Sequence, residues 1–123
     1  MKWLLDTTVL VDYSRGRQAA VQWLTQRVDE CAISVVTLAE LAQGARNEAE
    51  QQALGIYAQV LALLPVNAEV AWAAGALCRR YRASHNCQLP DGLIAATAQV
   101  HGLQLATHNL KHYPMFAGLE APY

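Results

Sequence analysis

Carboxylates placed among apolar residues are the feature of this sequence most able to do chemistry. Of its four aspartates, Asp6 directly follows Trp3-Leu4-Leu5, and Asp91 lies within Leu89-Pro90-Asp91-Gly92-Leu93-Ile94. Ionised carboxylates are rarely set in such surroundings without partners, because the hydration they lose must be replaced by donors or a charge. Glu40, in Ser34-Val35-Val36-Thr37-Leu38-Ala39-Glu40-Leu41, and Asn109, after Leu105-Ala106-Thr107, add two more oxygen-bearing side chains. Acids brought close together repel, so they raise their pKa values or gather a cation. Hard oxygen ligands without a nearby cysteine favour Mg²⁺ or Mn²⁺, which keep several waters and need only a few carboxylates. A water held by such an ion can attack a phosphodiester, and the ion also stabilises the developing charge, so no catalytic His or Ser is needed.

The elements that must position these residues alternate in type. Trp3-Leu4-Leu5 reads as a buried strand, and Asp6-Thr7-Thr8 can cap a helix to about Arg15, where Gly16 breaks it. Val21, Leu24 and Val28 mark a second helix. Ala32 to Val36 is expected as a strand, followed by a helix with Leu38, Leu41, Ala42 and Ala45 on one face. The apolar positions Leu54, Ile56, Tyr57, Val60 and Leu61 predict a helix from Glu48 to about Leu63. Leu64-Pro65-Val66 then forms an edge strand or extended turn. Val70, Ala73, Ala74, Leu77 and Tyr81 define a helix from Ala68 to about Ala83. After a loop over Asn86–Leu89, Pro90 opens the next helix, Gly102 closes it, and Leu105–Thr107 is the last strand.

Alternating strands and helices predict an α/β fold: a three-layer α/β/α domain with a mainly parallel sheet. In that architecture Asp6 ends the first strand, Glu40 lies one turn into the helix leaving the second, and Asn109 follows the last. The helix beginning near Asp91 runs antiparallel to the strand after it, so its start returns to the same sheet edge. All four residues are expected at the carboxyl-end crevice where open α/β sheets build their sites. Each also suits a helix start: Thr37–Glu40 reads as a capping box, Asp6 and Asn109 as N-caps, and Asp91 as a first-turn acid. Convergence is what favours chemistry over capping. Asp12 is set apart, since it can pair with Arg15 at i, i+3.

Composition bounds what the protein can be. The chain has 123 residues, 54% hydrophobic and 15% charged, with a net charge of −1, which fits one globular domain over 1–123 and excludes intrinsic disorder. No apolar run approaches the roughly 18 residues needed to cross a bilayer, and Lys2 stands before an acid instead of in a basic leader, so the chain is expected in the cytoplasm. Cys31, Cys78 and Cys87 form no C-x-x-C pair, and His108 and His112 find no further His or Cys ligand, which argues against a disulfide framework or zinc. With so little net charge, nucleic-acid binding must come from a local cluster, and Arg79, Arg80, Arg82 and His85 provide one. Trp3, Trp23 and Trp72 are expected to be packing residues instead of base-stacking platforms. A phosphatase with an aspartyl intermediate would need a second acid two residues after Asp6, where Thr8 stands. A phosphoreceiver domain would need an Asp between Asp29 and Asp91, and there is none.

Four segments together resemble the PIN-domain family, specifically the VapC-like toxins of toxin–antitoxin pairs. They are Leu4-Leu5-Asp6-Thr7-Thr8-Val9-Leu10-Val11-Asp12-Tyr13 with Arg15-Gly16, Ser34 to Leu41 running on to Gly44, Pro90-Asp91-Gly92-Leu93-Ile94-Ala95-Ala96-Thr97-Ala98, and Leu105-Ala106-Thr107-His108-Asn109-Leu110-Lys111-His112-Tyr113. In order and spacing they cover essentially the whole chain. The resemblance implies an endoribonuclease using Mg²⁺ or Mn²⁺, a homodimer silenced by a VapB-like antitoxin that supplies any operator-DNA binding. Asp6, Glu40 and Asp91 are then the metal-binding acids.

The sequence departs from the family at two places. Asn109 stands where many relatives have an acid, leaving one fewer negative charge, and His108 stands where many have Arg, the better bidentate phosphate ligand. Thr7, Thr107 and Asn109 are candidates to orient ligands or metal-bound water from behind, and Thr7 and Thr107 equally suit helix caps. Arg79, Arg80, Arg82 and His108 are candidates for RNA contact. The competing reading is a catalytically silent PIN-like module that binds RNA or protein without cutting.

Overall fold

In the computed structural model, which describes all 123 residues, the neighbours Leu4 and Leu5 are both fully buried, in two different apolar clusters. Successive strand residues point to opposite sheet faces, so a strand buried at both needs helices on both sides. Four strands, β1 (Trp3–Leu5), β2 (Cys31–Ser34), β3 (Ala62–Leu64) and β4 (Gln104–Ala106), form one all-parallel sheet in the order β3-β2-β1-β4. On one face Leu5, Ile33 and Ala106 meet Val9 and Leu10 of α1 (Thr7–Ser14) and Trp23 and Leu24 of α2 (Gln18–Thr25). On the other, Leu4, Ala32 and Leu105 meet Ile94, Ala95 and Ala98 of α6 (Leu89–His101). α5 (Ala68–His85) covers the outer side of α6 through Val70, Ala74 and Ala96. α6 is thus buried almost all round, which is why Ile94-Ala95-Ala96-Thr97-Ala98 carries no exposed polar residue. The expected α/β/α architecture is the one found.

The chain lays β2 and β3 to one side of β1 and then returns to place β4 on the other. The switch point therefore lies between the carboxyl ends of β1 and β4, in register through Leu5 and Ala106 and closed by Asp6 N–H donating to the Ala106 carbonyl at 2.9 Å.

Several boundaries differ from expectation, each for a local reason. β2 ends at Ser34 and not Val36, because the Ser34 hydroxyl accepts from Val36 N–H at 3.0 Å and caps α3 (Val35–Gly44) ahead of any capping box at Thr37. Within α3 only Thr37 is fully buried, while Leu38 and Leu41 are half-buried and Ala42 is exposed. α4 (Glu48–Val60) starts at its Asn47 cap and stops earlier than the periodicity predicts, with Ile56 and Val60 facing outward and the edge strand β3 falling before Pro65 instead of across it. α5 runs on to His85 and is closed by Asn86 in the left-handed conformation, φ +50°, so the loop into α6 is only Asn86–Gln88. The last strand is shifted one residue back, to Gln104–Ala106. Val28 lies in a short 3₁₀ turn and not in α2. Asp12 pairs with Arg17 at 3.0 Å and accepts from the Tyr123 hydroxyl at 2.7 Å, so it is not the partner of Arg15. Trp3 and Trp23 pack edge to face, but Trp72 stands on the outer face of α5 and is 83% exposed, against the expectation that all three are packing residues.

Candidate active site

Asp6 occupies the N-cap position of α1, yet its side chain caps nothing there. It is only 4% exposed, and it accepts three hydroxyl hydrogen bonds: Oδ2 from Thr8 at 2.9 Å and Thr107 at 2.7 Å, Oδ1 from Tyr113 at 3.0 Å. A carboxylate has about four acceptor directions, so most are filled by neutral donors. The capping alternative for Asp6 is therefore not realised.

Asp91 comes back to the same edge in the first turn of α6. The Tyr113 hydroxyl lies 3.3 Å from its Oδ1, and His112 Nδ1 lies within hydrogen-bond distance of its Oδ2, at 3.0 Å. Tyr113 thus stands between the two aspartates, with one carboxylate oxygen of each within hydrogen-bond reach of a single phenol oxygen. Its side chain is 1% exposed, and burial, followed by the two carboxylate charges, holds its hydroxyl far above the ordinary phenol range. It remains a proton donor.

Glu40 is beside this pair and not within it. Its Oε1 accepts from Thr7 at 2.7 Å, and Thr7 directly follows Asp6; the same hydroxyl reaches Thr37 Oγ1 at 3.2 Å. No group of three or more His, Cys, Asp or Glu side chains is close enough to share one ion, so the expected convergence of three acids and an amide resolves into an Asp6–Asp91 pair flanked by Glu40. Asn109 is exposed and its side chain caps nothing, although its backbone N–H donates to Thr107 Oγ1 at 3.0 Å. Thr107 thereby joins the turn after β4 to Asp6. The His108 ring packs on Tyr123 with centroids 4.3 Å apart, and its buried Nε2 has no hydrogen-bond partner, which withholds that nitrogen from a phosphate. Arg79, Arg80, Arg82 and His85 are exposed at the carboxyl end of α5, joined to the Asp91 end of α6 by the three-residue loop.

A groove of about 480 Å³ between α1, α3 and α4 leads away from Thr7 and Glu40, past Arg15, Leu41 and Arg46 to Tyr57. Sequence reasoning missed Thr8 and, above all, Tyr113. The one available signal was that a tyrosine buried after the last strand needs a partner for its hydroxyl, and spacing could not say which.

The Thr107 hydroxyl donates to Asp6 and accepts from Asn109, and it is fully buried. Thr107→Val keeps the volume and leaves both partners short of a bond, so it is expected to lower stability by roughly 1–3 kcal/mol in urea titrations. A change below about 0.5 kcal/mol would show the network to be energetically idle.

The family model described as PIN domain matches residues 3–114. The chain belongs to the PIN-domain family. This PIN domain is 43% identical to Ribonuclease VapC10 of Mycobacterium tuberculosis over 123 residues, covering 98% of this chain and 92% of that relative. It is 40% identical to Ribonuclease VapC19 of the same organism, covering 98% of each. Among solved structures it resembles a chain of a toxin–antitoxin complex from Klebsiella pneumoniae, with a TM-score of 0.83 and 32% identity over 99% of this chain and 98% of that one.

Proposed function

We propose that this PIN domain is an endoribonuclease toxin that hydrolyses RNA phosphodiester bonds with Mg²⁺ or Mn²⁺ and is held inactive by a small VapB-like antitoxin. The observation that carries the reading is the buried Asp6 carboxylate, which leaves its helix uncapped and shares Tyr113 with Asp91 at the β1/β4 switch point. The donor set is oxygen only, and Mg²⁺ is held by one or two carboxylates with the rest of its shell water, which suits an Asp6–Asp91 pair. Glu40, held by Thr7, the residue after Asp6, would be the third acid of the site. When bound, the ion supplies an activated water and stabilises charge on the phosphate. The protein's own part is to hold the two aspartates against their mutual repulsion, to keep Glu40 beside them through Thr7, and to offer Arg79, Arg80 and Arg82 to the RNA backbone.

Relatives support the partner: the similar Klebsiella chain is part of a toxin–antitoxin complex, and VapBC2 of Rickettsia felis, 25% identical, was solved bound to a promoter DNA fragment. The groove that leads to Glu40 is apolar through Val11, Leu41, Leu54 and Tyr57 and carries Arg15, while its Arg46 is paired with Glu50 at 2.8 Å, which suits a mainly apolar antitoxin segment with an acid opposite Arg15. Operator DNA would be bound through the complex. A homodimer and a cytoplasmic location complete the proposal; no helix is long and apolar enough to cross a membrane.

The test is cleavage of labelled tRNA and rRNA pools by the purified, antitoxin-free chain with Mg²⁺, Mn²⁺ or EDTA. Discrete products that vanish in EDTA are expected. Folded protein that cuts neither pool with either metal would favour the silent binding module.

A further inference from the structure

We propose that the Tyr113 hydroxyl is a positioning residue that sets the Asp6–Asp91 carboxylates at the spacing in which they take a divalent cation. This rests on the metal-dependent reading above and assigns a task within it. Asp6 Oδ2 is fixed by Thr8 and Thr107, and Asp91 Oδ2 is held by His112. The remaining oxygen of each carboxylate meets the same phenol oxygen, at 3.0 Å for Asp6 and 3.3 Å for Asp91. Tyr113 has one proton to give, and the shorter contact assigns it to Asp6, so the Asp91 oxygen is drawn to the shared point without being saturated.

The ring itself is clamped. It is buried in the cluster with Leu4, Ile94 and Leu105, and it meets Phe116 at a centroid distance of 6.4 Å. The phenol oxygen is therefore fixed by packing on two of the sheet-bound elements, whereas Asp91 has no other anchor than His112, which is itself exposed. Without the hydroxyl, repulsion from Asp6 would drive Asp91 outward, and an ion would first have to bring it back. A neutral donor between two carboxylates prepares the site without competing as a charge, which is how outer ligands raise metal affinity.

Tyr113→Phe removes one oxygen and keeps the ring. In Mn²⁺ titrations read by loss of the free-ion electron paramagnetic signal, the variant is expected to bind about 10-fold more weakly than the wild type. Its melting temperature in EDTA should show a cooperative fold, and RNA cleavage should recover as Mn²⁺ is raised. Equal or tighter Mn²⁺ binding by a folded Tyr113→Phe chain would overturn the proposal, tighter binding meaning that the hydroxyl competes with the ion. A wild-type chain that binds no Mn²⁺ would instead bring down the metal-dependent reading itself. Should Tyr113→Phe fail to fold, the wild type labelled at the tyrosine ζ-carbon gives the answer. The Tyr113 resonance is expected to move with added Mg²⁺, and a resonance that stays fixed while Mg²⁺ binds would overturn the proposal.

Discussion

Asp6→Asn is expected to reduce RNA cleavage by about 100-fold or more while leaving the protein folded, because a neutral amide would hold far more weakly the cation that would activate water and stabilise charge on the phosphate. Most substitutions of a buried, triply hydrogen-bonded group destabilise a protein, but the geometry here allows the amide to be absorbed. The Asn oxygen can take the place of Oδ2 and accept from Thr8 and Thr107, while its NH₂ donates to the Tyr113 oxygen. The phenol proton then turns to Asp91 Oδ1. No buried polar atom is left without a partner, and the repulsion between two adjacent carboxylates is gone. Stability in EDTA should stay within about 1 kcal/mol of the wild type or rise above it, as at sites where function is held at the expense of stability. Asp91→Asn should lose activity to a similar degree. Asp12→Asn is the control, since Asp12 is engaged with Arg17 and Tyr123, and its cleavage rate should be that of the wild type. Wild-type cleavage by Asp6→Asn would remove the Asp6–Asp91 pair from the chemistry.

Gly92→Ala should be the most crowded of the glycine-to-alanine changes, since only at Gly92 does an added Cβ meet anything within 4 Å. A Cβ at Gly92 would sit 2.4 Å from Cys78 Sγ and 3.2 Å from the Ala74 carbonyl oxygen, so α5 and α6 approach as closely as they do only because residue 92 has no side chain. Cys78 has little room to turn aside, because it is buried with its sulfur 3.5 Å from that of Cys87. The helices must part, at a cost of roughly 2–3 kcal/mol, seen as a melting temperature lowered by roughly 5–10 °C. Asp91 is the preceding residue, so the shift should also disturb its approach to Tyr113 and slow RNA cleavage. Adding Cys78→Ala should restore part of the stability and not all of it, since the Ala74 carbonyl still crowds the new methyl. A melting temperature for Gly92→Ala within about 1 °C of the wild type would show that the helices slide apart freely.

The fold was legible in the sequence because its signals are local and periodic. Two apolar neighbours in β1, the i, i+3, i+4 stripe of α5, and Pro90 and Gly102 at the ends of α6 are each fixed within one or two turns of chain. Boundaries were read less well where two local preferences compete, as at Val35-Val36, which suit a strand until the Ser34 hydroxyl caps a helix there. The apolar character of Ile56, Val60 and Trp72 was legible too, but not that they face outward. A period tells which residues share a face and is silent on whether the chain supplies anything to cover it.

For the site, the sequence by itself determined that Asp6 and Asp91 sit in apolar settings at one sheet edge, since strand direction and helix antiparallelism follow from the order of elements. Only the tertiary structure decided that these two form the pair, that Glu40 is held by Thr7 next to it, that Asn109 reaches it by its backbone through Thr107 while the His108 ring packs on Tyr123, and that Tyr113 joins it. The physical reason is one of range. Backbone periodicity is settled by neighbours a few residues away, whereas a buried side-chain hydrogen bond such as that of Thr107 or Tyr113 to Asp6 spans more than 100 residues and is fixed to a few tenths of an ångström by packing from the whole fold.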